Sequence, residues 1–450
     1  DDGVIFISID EHENSNLIKI CDEIFGEKNQ IANFIWKSKP QGGNDNQLIV
    51  SEHEYILAYA KTIDSVKIIG RKLSDNKYKH KDNEYDTRGG YHLSKLDLSV
   101  LPYRVNLDYP IKCPDDTVIY PGNVTKKEWV NRKNGGNKDH DWRWRWSKER
   151  FEKGIENKYI EFAKRNDRWV VYTKEYEKID YDGKKIDRRA KHRTVIDNIT
   201  TVDGTKDIKA IFKQRMFSYP KPIELIKKMI LFFNSNSIIL DFFSGSATTA
   251  HAVMKLNAED DGNRKFIMVQ LPEKTDEKSE AYKAGYENIC EIGKERIRRA
   301  GEKIKEEMER EGKDTSQLDI GFKVFKLDET NIKEWDSSAQ LNEQTLLDQQ
   351  DIFKPGRTEE DVLYEILIKY GVFDMPVNEL TINDKKAYDV GQGYIIVALF
   401  DKISADDVKN IADHKPQVVI FKDSGFTDDN VKLNALYYLE KNGIEDIKVI

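Results

Sequence analysis

Apolar and polar positions in the first 61 residues follow a strand period and a helix period in turn. Residues 3–9, GVIFISI, form an apolar run of strand length, and so do residues 31–36. Between them, the apolar residues of NSNLIKICDEIFG recur every three or four positions, which predicts a helix that ends at Gly26. Residues 53–61, HEYILAYAK, predict a further strand. Strands that alternate with helices are typical of an α/β core.

The regular pattern is lost between residues 62 and 215, where glycine, asparagine, aspartate and aromatic residues separate short apolar runs. We expect a strand in DRWVVYT and one longer helix over residues 147–165. Because this stretch separates two regular regions, it is predicted to be an inserted domain.

Regular elements return after Pro222, where KPIELIKKMILFF predicts an amphipathic helix. Residues 237–257, SIILDFFSGSATTAHAVMKLN, predict a strand, a turn of small residues and a second helix. A strand in RKFIMVQLPE follows, and residues 279–311 predict one long polar helix. That helix is expected to be either a solvated element with paired charges or a surface for a partner.

The C-terminal part has a pattern of its own, in which YIIVALF, ADDVKNIAD, PQVVIFK, DNVKLNALYYLEKNG and IKVI predict β-α-β-α-β. The predicted domains are residues 1–61 and 216–311 as two parts of one core, 62–215 as the insertion and 312–450 as a small α/β domain.

Charge is distributed unevenly along this chain of formal net charge −7. Residues 121–215 contain 26 Lys or Arg and 16 Asp or Glu, a balance of +10, whereas residues 301–450 contain 19 and 32, a balance of −13. A basic middle segment favours a polyanionic partner such as nucleic acid.

Cysteine usage and hydropathy favour a cytoplasmic location. Cys21, Cys113 and Cys290 are far apart, which is typical neither of a disulfide framework nor of a zinc site. No apolar run approaches the roughly 18 residues of a membrane span. His12, His92 and His140 have no partners at metal-ligand spacing, so we expect no bound metal. The chain begins with Asp1 at the start of a predicted strand, and we therefore expect it to be a fragment.

The small-residue turn of LDFFSGSATTAHAV is the main candidate for ligand binding. Gly245 permits a positive φ and a close backbone approach, and the amides at the start of the helix at Thr248 favour negative charge. The G-x-G-x-x-G spacing of dinucleotide-binding turns is absent. An ordinary turn between a strand and a helix remains the alternative.

This turn resembles the loop F-x-G-x-G/A with which the amino-methyltransferases of DNA bind S-adenosylmethionine (AdoMet), with Ala247 where glycine is commoner. FSYPKPIELIKKMI resembles the family's Lys-Pro motif beside the methionine end of the cofactor, and FIMVQLPE resembles the strand that ends at the ribose. The resemblance implies a Rossmann-like fold. It implies these cofactor residues: Asp241, Phe243, Gly245, Ser246, Ala247, Thr248, Lys221, Pro222, Gln270 and Glu273.

Over its whole length the chain resembles the modification subunit of type III restriction–modification systems, a site-specific methyltransferase that acts on adenine N6 of double-stranded DNA. The strands around residues 3–9 and 53–61 resemble those beside the target-base pocket, which implies that His53 and Glu54 lie near it. A histidine satisfied by its own backbone neighbours is the alternative for His53. The implied partners are a second copy of the chain and a helicase–nuclease restriction subunit.

The family's catalytic tetrapeptide, Asp-Pro-Pro-Tyr, is not found in this sequence, which contains no Pro-Pro pair. In the group with this motif order the tetrapeptide would precede Asp1, so we expect the chain alone to be inactive. An N4-cytosine methyltransferase with the same motif order is one alternative. A non-catalytic DNA-binding specificity protein is the other.

The basic segment supplies the candidate DNA contacts. In DWRWRW, strand alternation would place three tryptophans on one face and two arginines on the other. Arginine is the commonest residue in specific base contacts, although a buried tryptophan face with solvated arginines is an equal alternative. The candidates in this segment and in the cluster DRRAKHR are Arg132, Lys133, Lys138, Arg143, Arg145, Arg188, Arg189, Lys191 and Arg193.

Overall fold

The computed structural model describes residues 1–39, 49–73, 75–100, 102–136, 140–333, 353–372 and 374–450. It has a mixed α/β architecture and divides into two compact units, Asp1–Phe322 and Lys323–Ile450.

The strands of the first unit are β1 (Val4–Ile9), β2 (Gln30–Trp36), β3 (Glu54–Ala60), β4 (Arg71–Lys72), β5 (Tyr91–Lys95), β6 (Asp97–Leu98), β7 (Ile111–Lys112), β8 (Val118–Ile119), β9 (Arg143–Trp144), β10 (Ile160–Arg165), β11 (Arg168–Tyr176), β12 (Arg189–Ala190), β13 (Val195–Ile196), β14 (Ile238–Asp241) and β15 (Lys265–Met268). Its helices are α1 (Asn14–Phe25), α2 (Tyr85–Arg88), α3 (Lys126–Asn131), α4 (Lys148–Glu156), α5 (Thr201–Phe212), α6 (Ile223–Ile230), α7 (Thr248–Asp260), α8 (Glu280–Lys283) and α9 (Ile289–Arg310).

The first sheet has the strand order β1-β3-β2-β13. β3 pairs antiparallel with both β1 and β2, and β13 adds in parallel to β2. The helix α1 contributes Cys21 to a cluster on one side of β3, and Phe34 and Trp36 of β2 pack with side chains of α6. The predicted strands and the helix that ends at Gly26, where φ is 86°, are confirmed.

Between β3 and β13 the chain forms several short sheets around an aromatic cluster that includes Trp144 and Trp146. The predicted helix over 147–165 is only partly correct. Helix α4 ends at Glu156, and residues 160–165 form β10, which pairs antiparallel with β11. The predicted strand in DRWVVYT is confirmed as part of β11.

The elements that carry the small-residue turn form a β-α-β unit. β14 and β15 are parallel, with α7 between them in the chain, and α7 packs against α6 and α9. The predicted single helix over 279–311 is wrong. Helix α8 ends at Lys283, and Gly285 has a φ of 90° that no helix allows. Helix α9 begins after Asn288, whose side chain caps it by accepting a hydrogen bond from Glu291 N.

Among the residues that the structure describes, side chains cover one face of the β14–β15 pair and leave the other exposed. Ile239, Phe266 and Met268 pack against the helices. The apolar residues at the alternate positions of both strands are exposed, and so are two residues that follow β15. These five residues are Ile238, Leu240, Ile267, Val269 and Leu271. We refer to these five residues as the uncovered face.

The second unit is a five-stranded sheet with helices. Its strands are β16 (Val377–Ile382), β17 (Lys385–Val390), β18 (Ile395–Ala398), β19 (Val418–Phe421) and β20 (Asp446–Val449), paired in that order. Its helices are α10 (Glu359–Tyr370), α11 (Ala405–Asp413) and α12 (Asp429–Lys441). The predicted β-α-β-α-β pattern is confirmed as β18-α11-β19-α12-β20, with β18, β19 and β20 parallel. The hairpin β16–β17 and α10 precede it.

No helix within the described ranges is long and apolar enough to cross a membrane. Across the same ranges, no group of three or more His, Cys, Asp or Glu side chains is placed to hold a metal ion.

Candidate cofactor-binding site

The small-residue turn leaves β14 at Asp241 and enters α7 at Thr248 through two residues with left-handed backbone. Gly245 has φ 51° and Ala247 has φ 58°, so the predicted positive φ at Gly245 is confirmed. A Cβ at Gly245 would lie 3.4 Å from Cζ of Phe217, so the turn approaches this ring closely. Alanine in the left-handed region is strained by about 1 kcal/mol, which explains why glycine is favoured at such a position.

Asp241 and Gln270 hold the turn in this conformation. The carboxylate of Asp241 accepts hydrogen bonds from Thr249 Oγ1 at 2.6 Å and from Phe243 N at 3.3 Å. The side-chain oxygen of Gln270 accepts from Gly245 N at 2.7 Å, and its Nε2 donates to Leu271 O at 3.1 Å. Both ends of the Gln270 amide are therefore bonded within the protein. Gln270 and the exposed Glu273 both stay predictions for contact with a ribose.

Ser246 and Thr248 contact a buried arginine that the sequence did not single out. Arg296 of α9 is 0% exposed, and its Nη1 donates to Ser246 Oγ at 2.9 Å, to Ser246 O at 3.3 Å and to Thr248 Oγ1 at 2.7 Å. Burial lowers the pKa of the Arg296 guanidinium to about 10, although the nearby Asp207 opposes this shift. These two hydroxyl groups point towards α9, so we assign them to loop positioning.

Lys221 joins two segments that lie far apart in the sequence. Its Nζ forms an ion pair with Glu54 Oε2 at 2.8 Å and lies 4.8 Å from the ring centroid of Trp36. The adjacent Pro222 begins α6. The structure thus brings the predicted Lys-Pro motif and Glu54 together. His53 contacts the hydroxyl of Tyr55 at 3.1 Å.

Helix α5 fixes the chain around Lys221. The carboxylate of Asp207 accepts a hydrogen bond from Ile223 N at 2.8 Å, and burial raises its pKa. A Cβ at Gly204 would lie 2.1 Å from Pro220 O, so only glycine permits this close packing. Neither residue has a recognisable sequence signal, because both act through segments that are distant in the chain.

Two aromatic side chains beside this site are exposed. Phe243 in the turn is 83% exposed and Tyr219, two residues before Lys221, is 86% exposed. Backbone amides at a helix start, a lysine and exposed aromatic rings form a set suited to a ligand with both a carboxylate and an aromatic base.

Two of the predicted DNA-contact residues are buried instead. Arg132 forms an ion pair with the buried Asp108, with Nε–Oδ2 at 2.8 Å. Arg143 donates to Pro102 O at 2.9 Å and to Trp144 O at 3.2 Å. The alternation predicted for DWRWRW does not extend over the segment, because β9 covers only residues 143–144. Arg132 and Arg143 therefore stabilise the fold and are no longer candidates for DNA contact.

The other candidates divide into bonded and exposed residues. Lys133 donates to Val105 O and Asp108 O, Arg188 donates to Tyr176 O and Ile179 O, and Arg189 pairs with Asp187. Lys138 lies outside the described residues. The exposed candidates are Arg145, Lys191 and Arg193, together with Arg189, which is exposed although it is paired.

A family model described as DNA methylase matches residues 1–302. The chain belongs to this family. The StyLTI Mod subunit of a type III restriction–modification enzyme from Salmonella typhimurium is 32% identical over 334 residues, which are 72% of this chain and 45% of that protein. The EcoP15I Mod subunit from Escherichia coli is 29% identical over 99% of this chain and 69% of its own length. The type II methyltransferase M.KpnI from Klebsiella pneumoniae is 33% identical over 65% of this chain and 68% of its own length.

The family predicted from the motifs is thus confirmed. The chain spans just under half the length of the StyLTI subunit.

Proposed function

We propose that this member of the DNA methylase family is part of the modification subunit of a type III restriction–modification system. It transfers a methyl group from AdoMet to adenine N6 at a specific DNA site. Residues 1–61 and 216–311 are proposed to form a Rossmann-like core, 62–215 the DNA-recognition domain and 312–450 an appended α/β domain. The likeness to two Mod subunits over most of the chain supports this assignment.

The observation that carries the proposal is the meeting of the turn, the Lys-Pro motif and the Glu54 strand in one unit. AdoMet supplies an activated methyl group on its sulfonium when it is bound. The amides at the start of α7 and the ammonium of Lys221 are suited to the methionine carboxylate, and Phe243 is suited to contact with the adenine ring. Asp241 and Gln270 keep the turn open for this contact.

DNA binding is assigned to the basic segment, with Arg145, Arg189, Lys191 and Arg193 on phosphates. A restriction subunit and a second copy of the chain are the proposed partners, and α9 is a candidate surface for one of them. Because no Asp-Pro-Pro-Tyr sequence occurs in these 450 residues, we propose that the groups that hold the target amine lie in another segment of the protein.

The first test is calorimetric titration of AdoMet into the 450-residue chain. Wild type should bind, and Lys221→Ala should bind about 10-fold more weakly, in line with the loss of one charge-assisted hydrogen bond. Lys305→Ala, which removes an exposed lysine of α9, is the matched control and should bind as wild type does. Equal binding by all three proteins would remove Lys221 from the site.

The second test identifies the product. The protein of the complete reading frame is incubated with methyl-labelled AdoMet and mixed-sequence duplex DNA, and the nucleosides are separated. Label in N6-methyladenine supports the proposal. Label in N4-methylcytosine would show that the methylated position is cytosine N4 and not adenine N6. DNA binding without label would support a non-catalytic specificity protein.

A further inference from the structure

The hairpin β10–β11 ends in two arginines that none of the motifs singled out. Asn166 and Asp167 form its two-residue turn, both with positive φ, 47° and 59°, as in the turns that join tightly paired strands. Arg165 and Arg168 flank the turn and are directly opposite each other in the strand register. Their side chains therefore lie on the same face of the hairpin, at its exposed tip.

This arrangement places two like charges side by side without neutralising them. Like charges directly opposite on neighbouring strands destabilise a hairpin. Neither guanidinium has a hydrogen bond or an ion pair to any other residue that the structure describes. A sequence that breaks a local rule at an exposed position without compensation indicates a function there.

Lys164 and Trp169, the cross-strand pair next to the two arginines, are fixed by contacts with the rest of the domain. Asp115 accepts hydrogen bonds from Trp169 Nε1 at 2.9 Å and forms an ion pair with Lys164 at 3.0 Å. Asn123 Nδ2 donates to Trp169 O at 3.2 Å. Val171 still accepts a hydrogen bond from Leu96 N, but between Val171 and the tip no third strand of the described residues pairs with the hairpin. A rigid base thus supports a narrow two-stranded tip.

A second hairpin with the same turn shows that the turn does not by itself require this exposed charge. In β16–β17 the turn is Asn383-Asp384, again with two positive φ angles, 44° and 69°. There Lys385 binds the buried Asp407 at 2.7 Å, and Asn383 Nδ2 donates to the same carboxylate at 3.1 Å. The turn in the second unit is fixed to its own domain, whereas the arginine tip is available for a partner.

We propose that the tip of β10–β11 enters the major groove of duplex DNA and that Arg165 and Arg168 contact guanine edges there. This inference rests on the proposed function and adds the element that recognises the sequence. The major groove, about 12 Å wide, admits a two-stranded ribbon, and an arginine binds guanine O6 and N7 with two hydrogen bonds. Two arginines on one face of a rigid tip match this requirement.

The test begins with the wild-type chain and a pool of duplexes with a randomised central segment, from which bound sequences are enriched. The variant Arg165→Lys/Arg168→Lys keeps both charges but cannot form the two-pronged contact with guanine. The variant Arg165→Ala/Arg168→Ala removes them. Lys402→Gln/Lys415→Gln removes two exposed charges from the second unit and is the charge-matched control.

Wild type and the control should enrich the same guanine-containing site. The lysine variant should keep wild-type affinity for unselected duplex and lose roughly 5- to 150-fold of the preference for each guanine contacted. Neither variant of the tip should unfold at a lower temperature than wild type, because no partner is lost and, in the alanine variant, the repulsion is relieved.

Three results would overturn the inference. The lysine variant could keep the wild-type preference, or the alanine variant could weaken all duplexes equally with a shallower salt dependence, which indicates phosphate contact. Wild type could also bind AdoMet but enrich no sequence. This result would contradict the inference about the hairpin tip and would leave the proposed cofactor site unaffected. A chain that binds neither AdoMet nor DNA would instead contradict the proposed function itself.

Discussion

Two buried arginines of the first unit, Arg132 and Arg296, are satisfied in opposite ways. Arg132 binds the carboxylate of Asp108 with Nε and Nη2, at 2.8 and 3.0 Å, and Asp108 also accepts hydrogen bonds from Trp129 and Tyr103. Arg296 binds the hydroxyls of Ser246 and Thr248 and one carbonyl. Across the described residues its Nε and Nη2 have no hydrogen-bond partner.

The pKa values follow this difference. Burial alone would lower the pKa of Arg132, but the bonds to Asp108 outweigh it and raise the pKa. For Arg296 burial dominates, and the pKa falls to about 10. The first charge is neutralised within its own network, whereas the second is stabilised mainly by groups of the small-residue turn. We therefore expect Arg132 to determine stability and Arg296 to determine how well the turn binds its ligand.

The largest effect is expected for Arg132→Ala. It leaves the 0% exposed Asp108 as an uncompensated buried charge, which costs about 3–5 kcal/mol of the free energy of unfolding. Urea unfolding followed by tryptophan fluorescence measures this loss, since Trp129, Trp144 and Trp146 lie in the same region. Arg145→Ala, at an exposed position, is the control and should change stability by less than about 0.5 kcal/mol. A comparable loss in both variants would contradict the role of the ion pair.

A smaller loss of stability is expected for Arg296→Met, because methionine fills the space and leaves no charge behind. The unpaired hydroxyls of Ser246 and Thr248 should reduce the free energy of unfolding by about 1–3 kcal/mol. AdoMet affinity should fall about 10-fold, whereas folded Arg132→Ala at low temperature should bind AdoMet as wild type does. Calorimetric titration of AdoMet into both variants measures this difference. Equal affinities would contradict the assignment of ligand binding to Arg296 and of stability to Arg132.

The smallest effect concerns pH. His251 of α7 is buried, and burial together with the charges of Arg296, Lys255 and Lys303 holds its pKa well below the usual 6.5. Below pH 6.5 the unfolded chain takes up a proton that the folded chain does not. Stability therefore falls with decreasing pH, by at most about 1.4 kcal/mol per pH unit, and is fully present above pH 6.5.

The variant His251→Phe removes this titration. Between pH 5 and 7, its free energy of unfolding should depend on pH less steeply than that of wild type. The difference between the two slopes should be the contribution of His251, at most about 1.4 kcal/mol per pH unit. In the background of Arg296→Met the wild-type histidine should titrate at a higher pH, because one repelling charge is gone. Parallel slopes in wild type and His251→Phe would assign the pH dependence to other groups.

The local pattern of the sequence predicts much of the secondary structure in both units. The positive φ permitted at Gly245, the helix after Pro222 and the β-α-β-α-β order of the second unit follow from residue type and period alone. The break at Gly285 was missed because both flanking segments favour a helix, and the polar period continues across it.

The local sequence pattern does not indicate which side chains pair in the folded protein. Arg132 and Asp108 are 24 positions apart, and Arg296 lies 50 positions from Ser246. An arginine in a basic segment has the same local appearance whether it faces solvent or a buried carboxylate. For this reason the sequence favours DNA contact for the buried Arg132 and Arg143 and does not distinguish the exposed Arg165 and Arg168.

We expect the uncovered face of β14–β15 to influence how the polypeptide behaves in a cell and in purification. Its five neighbouring apolar side chains are a surface of the kind that chaperones bind and that promotes aggregation. We therefore expect exposure of this face to lower the yield of soluble chain.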